Sequence, residues 1–174
     1  MNLSYWEYKT WLSQIDFTIV GSGIVGLNTA LNLIKRFPKA KILILERGIL
    51  PHGASTKNAG FACYGSISEI LSDLKIQTEE DVVKLVRKRW DGIQLLRKNL
   101  GDEAMDFQNL GGHEVFLQEQ KELYQQCLES LGHVNQLLKP IFNQETYYQH
   151  HNSFQFSGVV ENYITNPLES QIDT

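Results

Sequence analysis

Three glycines near the N-terminus have a spacing that could bind phosphate groups. They follow a short, β-branched apolar segment, residues 15–20. In a Gly-x-Gly-x-x-Gly run, the first glycine permits a tight turn, the second lets a pyrophosphate approach the backbone, and the third lets a helix pack closely on a strand. The amides and the dipole at the start of that helix bind anions without a basic side chain. The predicted phosphate-binding turn comprises Gly21, Ser22, Gly23, Ile24, Val25 and Gly26.

A carboxylate follows the glycines at a sequence separation that suits binding of a ribose. Glu46 lies twenty residues beyond Gly26, at the end of a second apolar segment that begins at Lys41. A carboxylate in this position accepts hydrogen bonds from the ribose hydroxyls of an adenosine and would repel a 2′-phosphate, which disfavours NADP. The two features together indicate dinucleotide binding. The alternative is a strand-to-helix turn that uses glycine for its shape alone.

The neighbouring segments predict the elements that would position these residues. Ile15 to Val20 and Lys41 to Glu46 are typical of buried parallel strands. Between them, apolar residues recur at helical spacing from Ile24 to Phe37, and Pro38 ends the helix because proline cannot continue one. A strand, helix, strand unit of this kind crosses over right-handed into a parallel sheet.

The segment after Glu46 narrows the choice of dinucleotide. Arg47 to Phe61 is rich in glycine, serine and asparagine, and it begins with the arginine of a Glu46-Arg47 pair. Here the chain resembles the D-amino-acid oxidase-like family of flavoproteins, which includes glycine oxidase and sarcosine oxidase. The resemblance is close over Phe17 to Phe61 and looser beyond it. It implies FAD as the cofactor, bound by a Rossmann-type unit.

The resemblance also implies roles for residues of this loop. Ser55 and Thr56 would contact the pyrophosphate or the ribityl chain, and Arg47 would either lie over the adenine or be solvated. Small residues would let the backbone lie close to the flat isoalloxazine ring; they are Asn58, Ala59 and Gly60. The alternative is a glycine-rich surface loop.

The rest of the chain predicts a mixture of helices and strands. The patterns indicate an amphipathic helix at Tyr5 to Leu12 packed on the following domain, a helix from Thr78 to Gly101, a hairpin at Phe107 to Leu117 around Gly111-Gly112, a helix at Gln118 to Lys139 ended by Pro140, and a strand at Phe154 to Val160.

The expected fold class is therefore α/β, with a Rossmann-type FAD-binding βαβ unit followed by α+β segments of an interleaved substrate domain. The expected ranges are 1–66 for the FAD-binding portion with its N-terminal helix, 67–165 for a helical insert and part of a mixed-sheet substrate domain, and 166–174 for a return toward the FAD domain. Family members are considerably longer. The resemblance therefore implies that this chain is the N-terminal part of such a protein and that it is inactive alone. The catalytic groups are not identified.

Composition excludes several other classes. The 174 residues carry a formal net charge of −4, which gives no reason to expect a nucleic acid partner. No apolar run approaches the roughly 20 residues that span a bilayer, so a cytoplasmic location is the default expectation. Cys63 and Cys127 have no metal or disulfide spacing and are expected to be small buried hydrophobes; for Cys63, which follows the flavin loop, a redox-active cysteine is the alternative. No metal site is expected at His133, His150 or His151, because no carboxylate or cysteine stands at ligand spacing.

These observations predict an FAD-dependent oxidoreductase. The expected reaction transfers a hydride to the flavin from a carbon that bears an amine or a hydroxyl, in a small amine, amino acid or hydroxy acid. An NAD-binding dehydrogenase would share Gly21 to Glu46 but would not explain Gly53 to Phe61. A non-catalytic nucleotide-binding module is the other alternative.

Overall fold

The computed structural model describes residues 3–173, which divide into two compact units, 3–59 and 60–173. The boundary falls directly before the short strand that contains Phe61. The predicted functional ranges 1–66, 67–165 and 166–174 remain predictions.

The first unit is built on a strand, a helix and a second strand. Its elements are α1 (Tyr5–Glu7), a π-helical segment (Tyr8–Leu12), β1 (Phe17–Val20), α2 (Ile24–Arg36), β2 (Ile42–Leu45) and a 3-10 turn (Ala54–Thr56). β1 and β2 pair in parallel, with Phe17 opposite Ile42 and Val20 opposite Leu45. α2 ends just before Pro38, which has no amide hydrogen to continue the ladder. The predicted strand, helix, strand unit is confirmed.

The strands of this unit are less buried than the sequence predicts. β1 alternates between half-buried and exposed residues, and Val20 is 85% exposed. Alternation of this kind is expected when one face of a sheet is covered and the other is not. Within residues 3–173, β1 and β2 are the strands of this sheet.

The N-terminal segment is helical, as predicted, but its tryptophans do not pack on the domain. Trp6 and Trp11 are 69% and 58% exposed. The segment is attached instead through Lys41, whose Nζ donates hydrogen bonds to the carbonyls of Thr10 and Ser13. The segment is therefore attached by the hydrogen bonds of a charged side chain, whereas the sequence predicts attachment by burial of the indole rings.

The second unit combines three helices with two small antiparallel sheets. Its elements are β3 (Phe61–Ala62), α3 (Ile67–Leu74), α4 (Glu79–Leu100), β4 (Gly112–Glu114), a 3-10 turn (Gln118–Gln120), α5 (Lys121–Phe142), β5 (Tyr148–His151), β6 (Asn162–Asn166) and β7 (Ser170–Gln171). One sheet has the order β4-β6-β5, and β3 pairs with β7. Such segregated helices and antiparallel strands are typical of α+β structure.

The core of the second unit lies between the helices and the inner face of the β6 sheet. Trp90 of α4 packs on Tyr64 and Phe142, with ring centroids 5.8 and 5.3 Å away. Cys127 is fully buried, as predicted. Thr78 caps α4 by accepting a hydrogen bond from the Asp81 amide at 3.2 Å, so the predicted start of this helix is also confirmed.

The predicted hairpin at Phe107 to Leu117 is wrong. β4 pairs with β6, so that Gly112 lies opposite Asn166. The Gly111 amide donates to the Glu169 carbonyl at 2.9 Å, which places this glycine beside a distant segment rather than in a tight turn. Local glycine chemistry could not reveal a partner so far away in sequence.

The predicted strand at Phe154 to Val160 is also wrong. Strands β5 and β6 lie on either side of this segment, and the segment itself connects them. Phe154 and Phe156 are 51% and 53% exposed, and their rings stack at 5.5 Å. The aromatic residues that suggested a strand thus belong to a loop.

Pro140 does not end α5, which continues to Phe142. Proline in the last turn removes only one late hydrogen bond, and Asn143 then closes the helix in the left-handed conformation, with φ of 55°. The Pro140 carbonyl accepts a hydrogen bond from Arg87 Nη2 at 3.0 Å, which satisfies one of the free carbonyls at this end.

Among the described residues, no helix is both long enough and apolar enough to cross a bilayer.

Candidate functional site

The glycine turn joins β1 to α2 and has little room for side chains. Gly21 has φ of +95°, in the region that favours glycine, and its amide donates to the Leu45 carbonyl at 2.7 Å. A Cβ on Gly26 would lie 2.1 Å from the Gly21 carbonyl oxygen and 3.3 Å from Cγ2 of Ile19. The backbone of α2 therefore approaches β1 at a distance that only glycine permits, as the sequence predicts for the third glycine.

The start of α2 has amides that are available to an anion. The N-cap is Gly23, which has no side chain to cap the helix. The Ile24 amide donates to Oγ of Ser55 at 2.9 Å. Within residues 3–173, the amides of Val25 and Gly26 have no hydrogen-bond acceptor. Val25 is 77% exposed, so this end of the helix is open. Free amides at an open helix start match the chemistry of a phosphate oxygen.

Glu46 connects the glycine turn to the loop that follows β2. Its Oε2 accepts hydrogen bonds from the amide and the hydroxyl of Ser22, each at 2.9 Å. Its Oε1 accepts from the amides of Arg47 at 2.9 Å and Gly48 at 3.2 Å. The bonds from Ser22 are the main reason that the pKa of Glu46 is lowered to about 2, with smaller contributions from the amides of Gly48 and Arg47. The group stays ionised at neutral pH and lies at the end of β2, as predicted.

The loop after Glu46 is held mainly by its own hydrogen bonds. Oγ1 of Thr56 donates to the Pro51 carbonyl at 2.7 Å, and Nδ2 of Asn58 donates to the Ala54 carbonyl at 3.0 Å. Ser55 reaches beyond the loop to the start of α2, and a Cβ on Gly23 would lie 3.0 Å from its hydroxyl. This loop therefore places one hydroxyl at the Ile24 amide, at the start of α2.

The structure brings together part of the predicted set. Ser22, Glu46 and Arg47 form one hydrogen-bonded group, and Ile24 and Ser55 form another at the same turn. Thr56 and Asn58 lie in the first unit and bond to their own loop, and Ala59 is its last residue. Gly60 begins the second unit, where its carbonyl accepts from the Ile172 amide at 2.7 Å. Their roles toward a cofactor remain predictions.

Sequence reasoning missed a polar cavity in the second unit. Glu114, Asn166 and Glu169 line it together with apolar side chains. Burial, followed by the nearby charges of Glu69 and Glu114, raises the pKa of Glu169 to about 7. These residues come from separate segments and share no motif, so no local signal could have joined them.

Two smaller expectations concern cysteine and histidine. Cys63 is exposed, so the prediction that it is buried is wrong. It follows the short edge strand β3, whose residue Phe61 is itself 72% exposed. Nε2 of His133 lies 3.0 Å from Oε1 of Glu79. Across residues 3–173, no group of His, Cys, Asp and Glu is arranged to hold a metal ion.

Two known proteins resemble this chain in sequence or in fold. A 50-residue stretch is 50% identical to mitochondrial L-2-hydroxyglutarate dehydrogenase from Dictyostelium discoideum, covering 28% of this chain and 11% of that protein. The crystal structure of iminodiacetate oxidase from Chelativorans sp. BNC1 has a similar fold, with a TM-score of 0.58 at 15% identity. That match covers 90% of this chain and 40% of the oxidase, so each match spans less than half of the other protein's length.

The family comparison extends over most of the chain. The DAO family model, described as FAD dependent oxidoreductase, matches residues 16–160. The match includes the glycine turn, Glu46 and the loop that follows, together with most of the second unit. The chain belongs to the DAO family of FAD-dependent oxidoreductases.

Proposed function

We propose that the first unit binds the ADP half of FAD and that the protein oxidises a small amine, amino acid or hydroxy acid by hydride transfer to the flavin. The observation that carries the cofactor part is the open start of α2, where the amides of Val25 and Gly26 have no acceptor within residues 3–173. Phosphate oxygens would accept from these amides, aided by the helix dipole. Ser55 would add a hydroxyl at the same point.

Glu46 would hold the adenosine ribose, and this requires an exchange of hydrogen bonds. The two oxygens of a carboxylate offer about four acceptor sites, and the four donors from Ser22, Arg47 and Gly48 use them. A ribose hydroxyl must therefore replace one of these donors. The Ser22 hydroxyl can turn away by rotation of a single bond, whereas the three amides are fixed by the backbone. Ser22 would thus hold the carboxylate in position until the ribose arrives.

The chemical step would depend on both the cofactor and the protein. FAD, when bound, supplies a group that accepts a hydride. The protein would supply orientation and electrostatics, through the glycine turn, Glu46 and the loop that ends at Gly60. The relatives named above act, by their names, on L-2-hydroxyglutarate and iminodiacetate, and this supports a small-molecule substrate.

FAD titration of the chain, followed by calorimetry and flavin fluorescence, tests the cofactor part. Gly23→Val places a side chain at the amides and should weaken FAD binding at least tenfold without loss of helical circular dichroism, because φ of −72° at Gly23 suits any residue. Gly92→Val is the matched control, since a Cβ there meets nothing within 4 Å. Absence of saturable binding by the unaltered chain, or equal binding by Gly23→Val, would contradict the proposal.

The reaction class needs the protein as isolated from its native cells. Under anaerobic conditions, a panel of small amines, amino acids and 2-hydroxy acids is added, and the flavin absorbance near its visible maximum is followed. Bleaching by one of these classes is expected. A flavin that none of them reduces would overturn the hydride-transfer proposal while leaving the cofactor proposal intact.

A further inference from the structure

The second unit contains a cavity of about 370 Å³, and none of its lining residues belongs to the proposed cofactor-binding set. Its walls combine apolar side chains, including Ile67, Leu110 and Ile164, with a set of polar groups. Small-molecule sites have volumes of roughly 300–1,000 Å³ and this same mixture of apolar walls and a few convergent polar groups. The cavity is therefore large enough for a small organic ligand.

The charged residues that line the cavity are all acidic. They are Glu69, Glu114 and Glu169, and no Lys or Arg lines the cavity within residues 60–173. Two of the three carboxylates have partners in the protein. Glu69 accepts from the Ser66 amide at 2.9 Å, and Glu114 accepts from the amide and hydroxyl of Ser68.

Glu169 is the third carboxylate of the lining. Its Oε1 is buried and has no hydrogen-bond donor within the described residues. Burial and the two neighbouring carboxylates raise its pKa to about 7, so the ionised form lacks the stabilisation that a nearby cation would provide.

Asn166 is a second polar residue of the lining, and its unpartnered group is independent of Glu169. It is only 3% exposed, and its Oδ1 accepts from the Tyr64 hydroxyl at 2.8 Å and from the Leu168 amide at 3.1 Å. Because the Leu168 amide can only donate, the side-chain orientation of Asn166 is fixed. Its Nδ2 is then left buried without an acceptor in the described part of the chain, although buried donors are nearly always satisfied.

Gly112 makes space for the Glu169 carboxyl group. A Cβ on this strand residue would lie 1.8 Å from Oε2 of Glu169 and 2.9 Å from its Cδ. Glycine is otherwise unfavourable within a strand and often marks a close approach. The position of Glu169 is therefore set by the strand beside it.

We propose that this cavity binds a small primary ammonium ion that carries a neighbouring hydrogen-bond acceptor, with the ammonium group at Glu169 and the acceptor at Nδ2 of Asn166. Such a ligand would offer a donor to Glu169 and an acceptor to Asn166, and both residues line the cavity. The three carboxylates attract a cation and repel an anion of the same size. The proposal goes beyond FAD binding, and because it concerns the second unit alone its test needs no flavin.

Three small probes of similar size separate the parts of this proposal. They are 2-methoxyethylammonium, which has both features, n-butylammonium, which lacks the acceptor, and methoxyacetate, which replaces the cation by an anion. Each is titrated into the chain at about pH 8, where Glu169 is mostly ionised and both amines are protonated. Calorimetry gives the affinity, and NMR follows the side-chain amide of Asn166 and the carboxyl carbon of Glu169.

Saturable millimolar binding of 2-methoxyethylammonium is expected, with shifts at both Asn166 and Glu169. We expect n-butylammonium to bind several-fold more weakly and methoxyacetate not to bind. Glu169→Gln should weaken the first probe at least tenfold, because it loses the charged hydrogen bond. Glu103→Gln, an exposed residue outside the cavity lining, is the matched control and should bind as the unaltered chain does.

Gly112→Ala gives a second route to the same question. Its Cβ would displace the Glu169 carboxyl group, so it should weaken the first probe about as much as Glu169→Gln does. The proposal is overturned if 2-methoxyethylammonium shows no saturable binding, if methoxyacetate binds equally well, or if Glu169→Gln binds the ammonium probe as tightly as the unaltered chain. Shifts that appear at Glu169 but never at Asn166 would overturn the assignment of the acceptor.

Discussion

Gly26 combines two functions in a residue without a side chain. It lets α2 approach β1, and its amide remains available at the helix start. We expect Gly26→Ala to destabilise the protein by about 1–3 kcal/mol, because the new Cβ would lie 2.1 Å from the Gly21 carbonyl oxygen and the helix must move. Hydrogen exchange of the amides of α2 and β1 measures the effect.

Gly132 supplies the control for this substitution. It lies within α5, is exposed, and a Cβ there meets nothing within 4 Å. Gly132→Ala should therefore stabilise the protein by about 0.5–1 kcal/mol through helix propensity. Equal effects at the two glycines would show that close approach at Gly26 is unimportant.

Glu46 should titrate far below an ordinary glutamate. The pKa of Glu46 is about 2, whereas an ordinary glutamate has a pKa of 4.5. NMR of the carboxyl carbon should therefore show a fully ionised group at pH 4. Because the folded-state pKa is depressed, the associated stability is present above pH 4.5 and is lost as the pH falls toward 2. Ser22→Ala removes one of the two donors from Ser22 and should raise the pKa of Glu46. An unchanged pKa in Ser22→Ala would show that the Ser22 hydroxyl does not contribute.

At the scale of the element, Asn135 holds α5 to the segment that leads into β5. Its Oδ1 accepts from the amides of Thr146 at 3.0 Å and Tyr147 at 2.8 Å, and its Nδ2 donates to the Tyr147 carbonyl at 2.8 Å. Asn135→Ala would leave three buried backbone groups unpaired. We expect a loss of about 3–4 kcal/mol, measured by urea unfolding followed by circular dichroism.

The next residue along the helix provides a comparison. Gln136 is exposed, so Gln136→Ala should change the free energy of unfolding by no more than about 0.5 kcal/mol. A loss for Asn135→Ala that is no larger than this value would mean that solvent satisfies the freed backbone groups.

The elements also show which parts of the fold a sequence can predict. β1, α2 and β2 were predictable because their apolar spacing, the glycine turn and Pro38 all act within one continuous segment. α3 was missed, since its eight residues lie directly after a glycine-rich region and its cap, Ser66, reads as part of that loop. The hairpin and the strand at Phe154 to Val160 failed because strand partners are chosen over long separations.

The candidate site, like the fold, has some features that the sequence predicts and others that it does not. Gly21, Gly26 and Glu46 were predicted with their geometry, because each has a task that depends on neighbours in a known motif. The proposed exchange of the Ser22 hydroxyl for a ribose hydroxyl could not be predicted from the sequence, since it depends on a rotamer. The cavity at Glu169 was also invisible, because its polar groups meet only after β4 and β6 have paired.

At the scale of the whole molecule, the division into two units predicts which segments FAD should protect from amide exchange when it binds. Excess FAD should slow amide exchange, measured by mass spectrometry, in peptides that cover residues 21–26 and 42–48. Peptides from the three helices of the second unit should change little. The expected protection follows from mass action, since a ligand stabilises the segments that it binds.

AMP serves as the comparison in this experiment, because it carries the ribose and one phosphate but no flavin. It should protect the Glu46 segment more weakly than FAD does. Protection by FAD that is strongest in the helices of the second unit, with none at residues 21–26, would contradict the assignment of the cofactor to the first unit.

The placement of the three tryptophans makes the two units optically distinguishable. Trp6 and Trp11 are largely exposed in the first unit, whereas Trp90 is half-buried against Tyr64 and Phe142 in the second. We expect the indole emission to be red-shifted and open to collisional quenchers such as iodide at the first two positions, and blue-shifted and shielded at the third. The native chain thus contains its own pair of spectroscopic reporters, one for each half.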